Sequence, residues 1–183
     1  MVYKVARTLT SEDAAYLAGL IDGEGTISLS RRHATERRQL VVSISSTERA
    51  LVDWAERATG VGKVTRKRTS SEKHAPGLTY SVSNRQALAL LEQVIPYLRS
   101  YKKFRARLVL DQYVALTPRN GKYSAALSAS REAFERAFLN VTAGQPGRTA
   151  DQFARDPLIP PDPDQAVAAS ACGSHGRSPT RLS

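Results

Sequence analysis

Ala15-Tyr16-Leu17-Ala18-Gly19-Leu20-Ile21-Asp22-Gly23-Glu24-Gly25 is the stretch of this 183-residue chain from which the fold can be argued. Ser11, just before it, is a suitable N-cap, and Glu12 and Asp13 follow where a helix macrodipole favours negative charge. The helix so opened runs through Ala14–Ile21 and ends near Gly23 and Gly25. Ala15, Gly19 and Gly23 recur every four residues and form one ridge with almost no side chain, which lets two helix backbones approach closely. If two copies of the chain cross there about a two-fold axis, Asp22 and Glu24 of both converge on that axis. Converging carboxylates repel unless a cation lies between them, and a hard divalent ion, Mg²⁺ or Mn²⁺, suits oxygen donors. Taken alone, Glu24 reads more simply as an acid at an ordinary helix end with glycines for its turn.

Downstream of the glycines the periodicity changes. Thr26–Arg32 and Gln39–Ser45 alternate with period two and are joined by the polar connection His33–Arg38, which predicts two paired strands. Thr47 and Glu48 open a helix with Leu51, Trp54, Ala55 and Ala58 on one face, stopped at Gly60. Val61–Thr69 and Leu78–Ser83 form a second pair of strands, linked through Pro76 and Gly77. Ser83-Asn84-Arg85-Gln86 has capping-box spacing, and Leu88, Leu91 and Ile95 continue it as an amphipathic helix ending before Pro96. Lys102–Leu116 is helical, with Phe104, Leu108, Val109 and Tyr113 as its apolar side, and a shorter helix covers Ser130–Leu139. The order α-β-β-α-β-β-α predicts an α+β domain, residues 1–143, with one four-stranded antiparallel sheet covered on one side by helices. From Gly144 the pattern fails, and residues 144–183 read as a flexible tail.

Formal net charge is +10. The tail carries Arg148, Arg155, Arg177 and Arg181 against Asp151, Asp156, Asp162 and Asp164, so the whole excess lies on residues 1–143. A basic body of this kind favours a polyanion, because phosphate contacts release counterions. Parity in the strands sharpens that expectation. Ile27 and Leu29, Leu40, Val42 and Ile44, and Leu78, Tyr80 and Val82 face the helices. The opposite face carries Thr26, Ser28, Ser30 and Arg32, then Gln39, Ser43 and Ser45. The second strand pair adds Lys63, Thr65 and Lys67, then Thr79, Ser81 and Ser83. A solvated face would mix carboxylates with these cations, whereas hydroxyls, amides and cations without carboxylates suit base edges and phosphates of double-stranded DNA. Arg66 and Arg68 fall on the other parity, either as phosphate contacts at the sheet edge or through a slip of register. Metal-bound carboxylates on the axis could then activate water against each of two DNA strands.

The nonapeptide Leu17–Gly25 resembles the signature motif of the LAGLIDADG homing endonucleases, in the variant ending Gly-Glu-Gly. Tyr16, Gly60-Val61-Gly62-Lys63-Val64, Ile95-Pro96-Tyr97-Leu98 and the element order extend the likeness over about residues 12–116. With one motif, the chain resembles the members that act as homodimers on long, near-palindromic DNA. The resemblance implies a metal-binding catalytic carboxylate at Glu24, assisted by the Gly23 carbonyl, and a more structural role for Asp22. It places Lys102 beside the scissile phosphate, or Tyr101 when the alignment is anchored on Pro96. Ser46 and Arg49 fall where polar residues order water around the metals. Cleavage across the minor groove with short 3′ overhangs is implied as well. A splicing maturase acting on RNA, or a DNA-binding regulator that has lost cleavage, is the alternative with the same fold.

His33, His74 and His175 lack metal-ligand spacing, and Trp54 reads as core. Arg105 and Arg107 flank Lys102 either as solvated cations or along a DNA backbone. The single Cys172 forms no disulfide within the chain, and no apolar run approaches the roughly 20 residues of a membrane span. An intracellular protein is therefore expected, in cytoplasm or nucleoid if bacterial, with an organelle not excluded.

Overall fold

A computed structural model of the chain describes residues 4–31, 33–66 and 77–143. Arg32, Lys67, Arg68, His74 and the whole of 144–183, expected above to be a flexible tail, lie outside the described residues.

Helix α1 (Ser11–Glu24) is capped by Thr10, whose Oγ1 accepts the Asp13 N–H at 3.1 Å, one residue earlier than expected. It buries Ala14, Leu17, Ala18 and Ile21, spaced along a single helical stripe. Strands β1 (Gly25–Ser30) and β2 (Gln39–Ser46) follow, then α2 (Arg49–Thr59), β3 (Lys63–Arg66) and β4 (Leu78–Ser83). Helix α3 (Asn84–Val94) runs into a 3₁₀ turn (Ile95–Tyr97), and α4 (Lys102–Gln112) and α5 (Ala125–Asn140) complete the order. The four strands are all antiparallel in the order β1-β2-β4-β3. Their inner face, with Ile27, Leu40, Ile44 and Tyr80 wholly buried, packs on helices that contribute Leu17, Ile21, Val52, Leu90 and Leu91.

Several local expectations shift. Glu48 caps α2, but the buried stripe is Val52, Ala55 and Thr59 rather than Leu51, Trp54 and Ala58. Thr59 lies in that stripe because its hydroxyl bonds the buried Tyr80 hydroxyl at 2.8 Å. Trp54 is half-buried and meets exposed Tyr16 edge to face, with ring centroids 4.7 Å apart. The capping box at Ser83 does not form: Ser83 makes no side-chain cap bond, and Gln86 instead donates to the Lys4 carbonyl at 2.7 Å. Helix α4 ends at Gln112, and α5 starts earlier than expected because Ser124 caps it through the Leu127 N–H at 3.2 Å.

Candidate nuclease site and nucleic-acid interface

Ala15, Gly19 and Gly23 are all exposed on the side of α1 opposite its buried stripe. Glu24, the last residue of the helix, is exposed at the end of this ridge. The chain there turns directly into β1, because Gly25 has no Cβ: one would lie 2.6 Å from the Ile21 Cα and 3.0 Å from the Ser43 carbonyl. Gly25 has φ −99°, so it serves close approach rather than a left-handed turn.

The carbonyls ending a helix lack intrahelical donors and carry the negative end of the macrodipole. Lys102 answers this directly. Its Nζ donates to the carbonyls of Ile21 at 2.8 Å and Asp22 at 2.9 Å, and the residue is only 7 % exposed. Burial lowers the pKa of that ammonium, the Asp22 charge opposes the shift, Arg105 adds to it, and Glu24 opposes it from nearby. Lys102 thus reaches the helix end that presents Glu24. Both Asp22 oxygens are used within the chain: Oδ2 accepts the Arg99 N–H at 2.7 Å and Oδ1 the Ser100 hydroxyl at 2.5 Å. Asp22 thus ties the motif to the connection ahead of α4, and the Ser100 hydroxyl in turn accepts the Lys102 N–H at 3.2 Å.

Ser46 stands at the same end of the sheet, since Gly25 pairs with Ile44, and its Oγ accepts the Glu48 N–H at 3.0 Å. Arg49, itself exposed, pairs with Asp53 one turn on in α2 at 3.0 Å. Among the described residues neither bonds Glu24. The expected core of the site is brought together as Glu24, Gly23, Asp22 and Lys102, and its outer members are not. Sequence reading missed Ser100, whose partner lies far away in the chain and carries no local signal. Arg105 is an internal strut, donating to the Ile27 carbonyl at 2.9 Å and the Val141 carbonyl at 2.8 Å between the Tyr101 and Phe138 rings.

The outer sheet face is continuous across the register. One row runs Thr26, Ser43, Ser81, Lys63, and the next runs Ser45, Thr79, Thr65. Ser28, Val41 and Ser83 form a third row, and Ser30 pairs with Gln39. Val41 is the one apolar member, and no carboxylate is present on this face among the described residues. Arg66 pairs with Leu78 on the opposite parity, so the register does not slip through that residue. No helix among the described residues is long and apolar enough to cross a membrane.

Could these residues hold a divalent metal? The Glu24 carboxylate and Gly23 carbonyl are hard oxygen donors, exposed at the negative end of a helix, and fit such an ion. No group of three His, Cys, Asp or Glu side chains comes together among the described residues, so one chain supplies only part of a coordination shell.

An αββαββα unit with an acid at the end of an exposed helix ridge, beside an outer sheet face that carries no carboxylate among the described residues, defines the class of homing-endonuclease folds. The model of the LAGLIDADG-like domain matches residues 11–108, more than half of the chain, and the protein belongs to that family. Solved structures agree on the fold. The homing endonuclease I-CvuI, solved in complex with its target and calcium, matches with 22% identity and a TM-score of 0.60, over 76% of this chain and 87% of that one. The archaeal intron-encoded homing endonuclease I-Vdi141I, complexed with DNA, matches at 16% identity and a TM-score of 0.54, over 76% of this chain and 91% of that one. The LAGLIDADG meganuclease I-AabMI, bound to uncleaved DNA, matches at 21% identity and a TM-score of 0.51, over 76% of this chain but 54% of its own. No curated protein matches the sequence.

Proposed function

We propose that residues 1–143 form a homodimeric, metal-dependent endonuclease that cuts double-stranded DNA at a long, near-palindromic site. The observation that carries this reading is the exposed Ala15–Gly19–Gly23 ridge with Glu24 at its end, beside an outer sheet face without carboxylates among the described residues. Crossing two such ridges brings the two Glu24 side chains together, which completes what one chain lacks. The matches support this count: the fold accounts for nearly all of the I-CvuI chain but only about half of I-AabMI, leaving room there for a second unit.

Glu24 and the Gly23 carbonyl would hold Mg²⁺ or Mn²⁺ with the phosphate oxygens of the DNA. A metal so held would polarise water and the scissile phosphodiester. Lys102 fixes the geometry of the helix end through two carbonyls and keeps a positive charge beside it. Asp22 locks the same turn through Arg99 and Ser100. Thr26, Ser28, Ser30, Gln39, Ser43, Ser45, Lys63, Thr65, Thr79, Ser81 and Ser83 read the two half-sites, with Arg32 and Lys67 as further DNA contacts. Ser46, at the same end of the sheet, and Arg49 would order water only at the periphery of such a site.

The test is a supercoiled plasmid library of candidate insertion sites, incubated with the protein and Mg²⁺. The wild type is expected to linearise particular sites, while Glu24→Gln binds the same sites and cuts at least about a hundredfold more slowly. Absence of cutting at any site, with tight binding to a structured RNA, would replace this reading by the maturase one.

A further inference from the structure

We infer that Gln39 is a specificity-determining residue whose hydrogen-bonding polarity is set from inside the fold by Tyr113 and Asn84; this rests on the DNA-reading role proposed for the sheet face. Gln39 opens β2 and pairs with Ser30, at the end of the sheet away from Glu24. It shares the outer parity with Ser43 and Ser45. A glutamine free to turn offers a donor and an acceptor together, the pattern that matches N6 and N7 of adenine.

That freedom is removed by a chain of bonds beginning at an atom that can only donate. The Leu40 backbone N–H donates to the Tyr113 hydroxyl oxygen at 3.0 Å. The hydroxyl therefore directs its one proton elsewhere, to the Asn84 Oδ1 at 2.8 Å. With its oxygen committed, Asn84 presents Nδ2, which donates to the Gln39 Oε1 at 3.3 Å. Tyr113 is 2 % exposed, and Asn84 is held at φ 54°, in the left-handed region that asparagine tolerates better than most residues. The core thus reaches round the end of the sheet and turns the Gln39 oxygen towards Asn84.

What remains is the Gln39 Nε2 with both N–H groups, on a residue of the outer parity, and no acceptor among the described residues takes them. A DNA base meeting this side chain must bring acceptors. In the major groove guanine brings two, N7 and O6; adenine brings one beside a donor that finds no partner, and cytosine brings only a donor. Gln39 is thereby biased towards guanine rather than adenine.

The test selects double-stranded DNA from a randomised library with the full-length wild type, Gln39→Ala, Asn84→Asp and Asn84→Gly, and sequences what each enriches. The wild type is expected to favour guanine over adenine about tenfold at one position and its symmetry mate, and Gln39→Ala to lose that preference. Asn84→Asp still accepts from Tyr113 but cannot donate; its carboxylate draws the Gln39 Nε2, and the position should swing to adenine or cytosine. Asn84→Gly keeps the positive φ, frees Gln39 to turn, and should bring adenine level with guanine; it carries the test if the aspartate variant fails to fold. Preferences at other positions should be unchanged. If Gln39→Ala alters the position while both Asn84 variants keep the wild-type profile, the polarity inference is overturned and DNA reading by the face survives. An unchanged profile in Gln39→Ala overturns the role of Gln39 itself. Failure of the wild type to enrich any DNA overturns the proposed function as well.

Discussion

Gly19 and Gly25 lie close together in the motif, yet each is a glycine for a different reason. At Gly25 a Cβ would collide with the backbone of Ile21 and the carbonyl of Ser43, so the small residue serves the interior. At Gly19 a Cβ would meet nothing within 4 Å, although glycine inside a helix costs about 1 kcal/mol relative to alanine. Nothing among the described residues offsets that cost, which directs attention to a partner outside the chain. Gly25→Ala is accordingly expected to destabilise the fold by about 1–3 kcal/mol. Gly19→Ala should stabilise the isolated protomer by about 0.5–1 kcal/mol. Denaturant unfolding at low protein concentration separates the two, and a loss of stability at Gly19→Ala would mean the ridge is packed within the protomer.

Helix α5 is anchored by a cation that the sequence disguises. Arg131 and Glu135 have the spacing of an ordinary solvated pair, with Phe134 and Phe138 on the same helix. In the fold Arg131 is wholly buried, donating to Glu135 at 3.0 Å, to the Thr117 hydroxyl at 2.6 Å and to the Arg38 carbonyl at 2.6 Å. Its guanidinium lies 4.8 Å from the centre of the Tyr113 ring and 5.1 Å from that of Phe134. Arg38 meets the other Glu135 oxygen at 3.6 Å, so the network ties α5 to the chain leading into β2. Arg131→Met should cost about 3 kcal/mol, because it leaves a partly buried carboxylate and open acceptors behind. Adding Glu135→Leu should recover much of that loss. Urea unfolding of the single and double variants checks this, and a single variant as stable as wild type would show that the pair contributes nothing net.

At the scale of the whole molecule, the proposed active unit is two chains. Every protomer offers one Glu24, one bare ridge and one polar sheet face, and a two-fold axis along the ridge doubles all three at once. Gly19→Leu leaves the protomer interior untouched but fills the crossing, so it should convert a dimer into monomers and abolish cleavage of both strands together. Light scattering at a concentration where the wild type is dimeric gives the answer. A Gly19→Leu protein that remains fully dimeric would place the interface elsewhere.

Patterning by itself determined the element order, because the change from period 3.6 to period 2 at Gly25 is written in local residue types and needs no tertiary information. The outer parity of the strands was equally legible: burying Leu40, Val42 and Ile44 leaves Gln39, Ser43 and Ser45 no choice of face. Glu24 was legible only through its neighbours in the motif, since one acid near a glycine says little. Tertiary structure alone decided how Lys102 and Asp22 are used, because both act on partners distant in the chain: Lys102 on the end of α1, Asp22 on Arg99 and Ser100. It also decided that Arg131 is buried rather than solvated, and that Gln39 offers donors rather than a free amide. The physical reason is common to all of these. Periodicity reports which side of an element is covered, whereas the partner of a hydrogen bond is chosen by whatever the fold brings within about 3 Å.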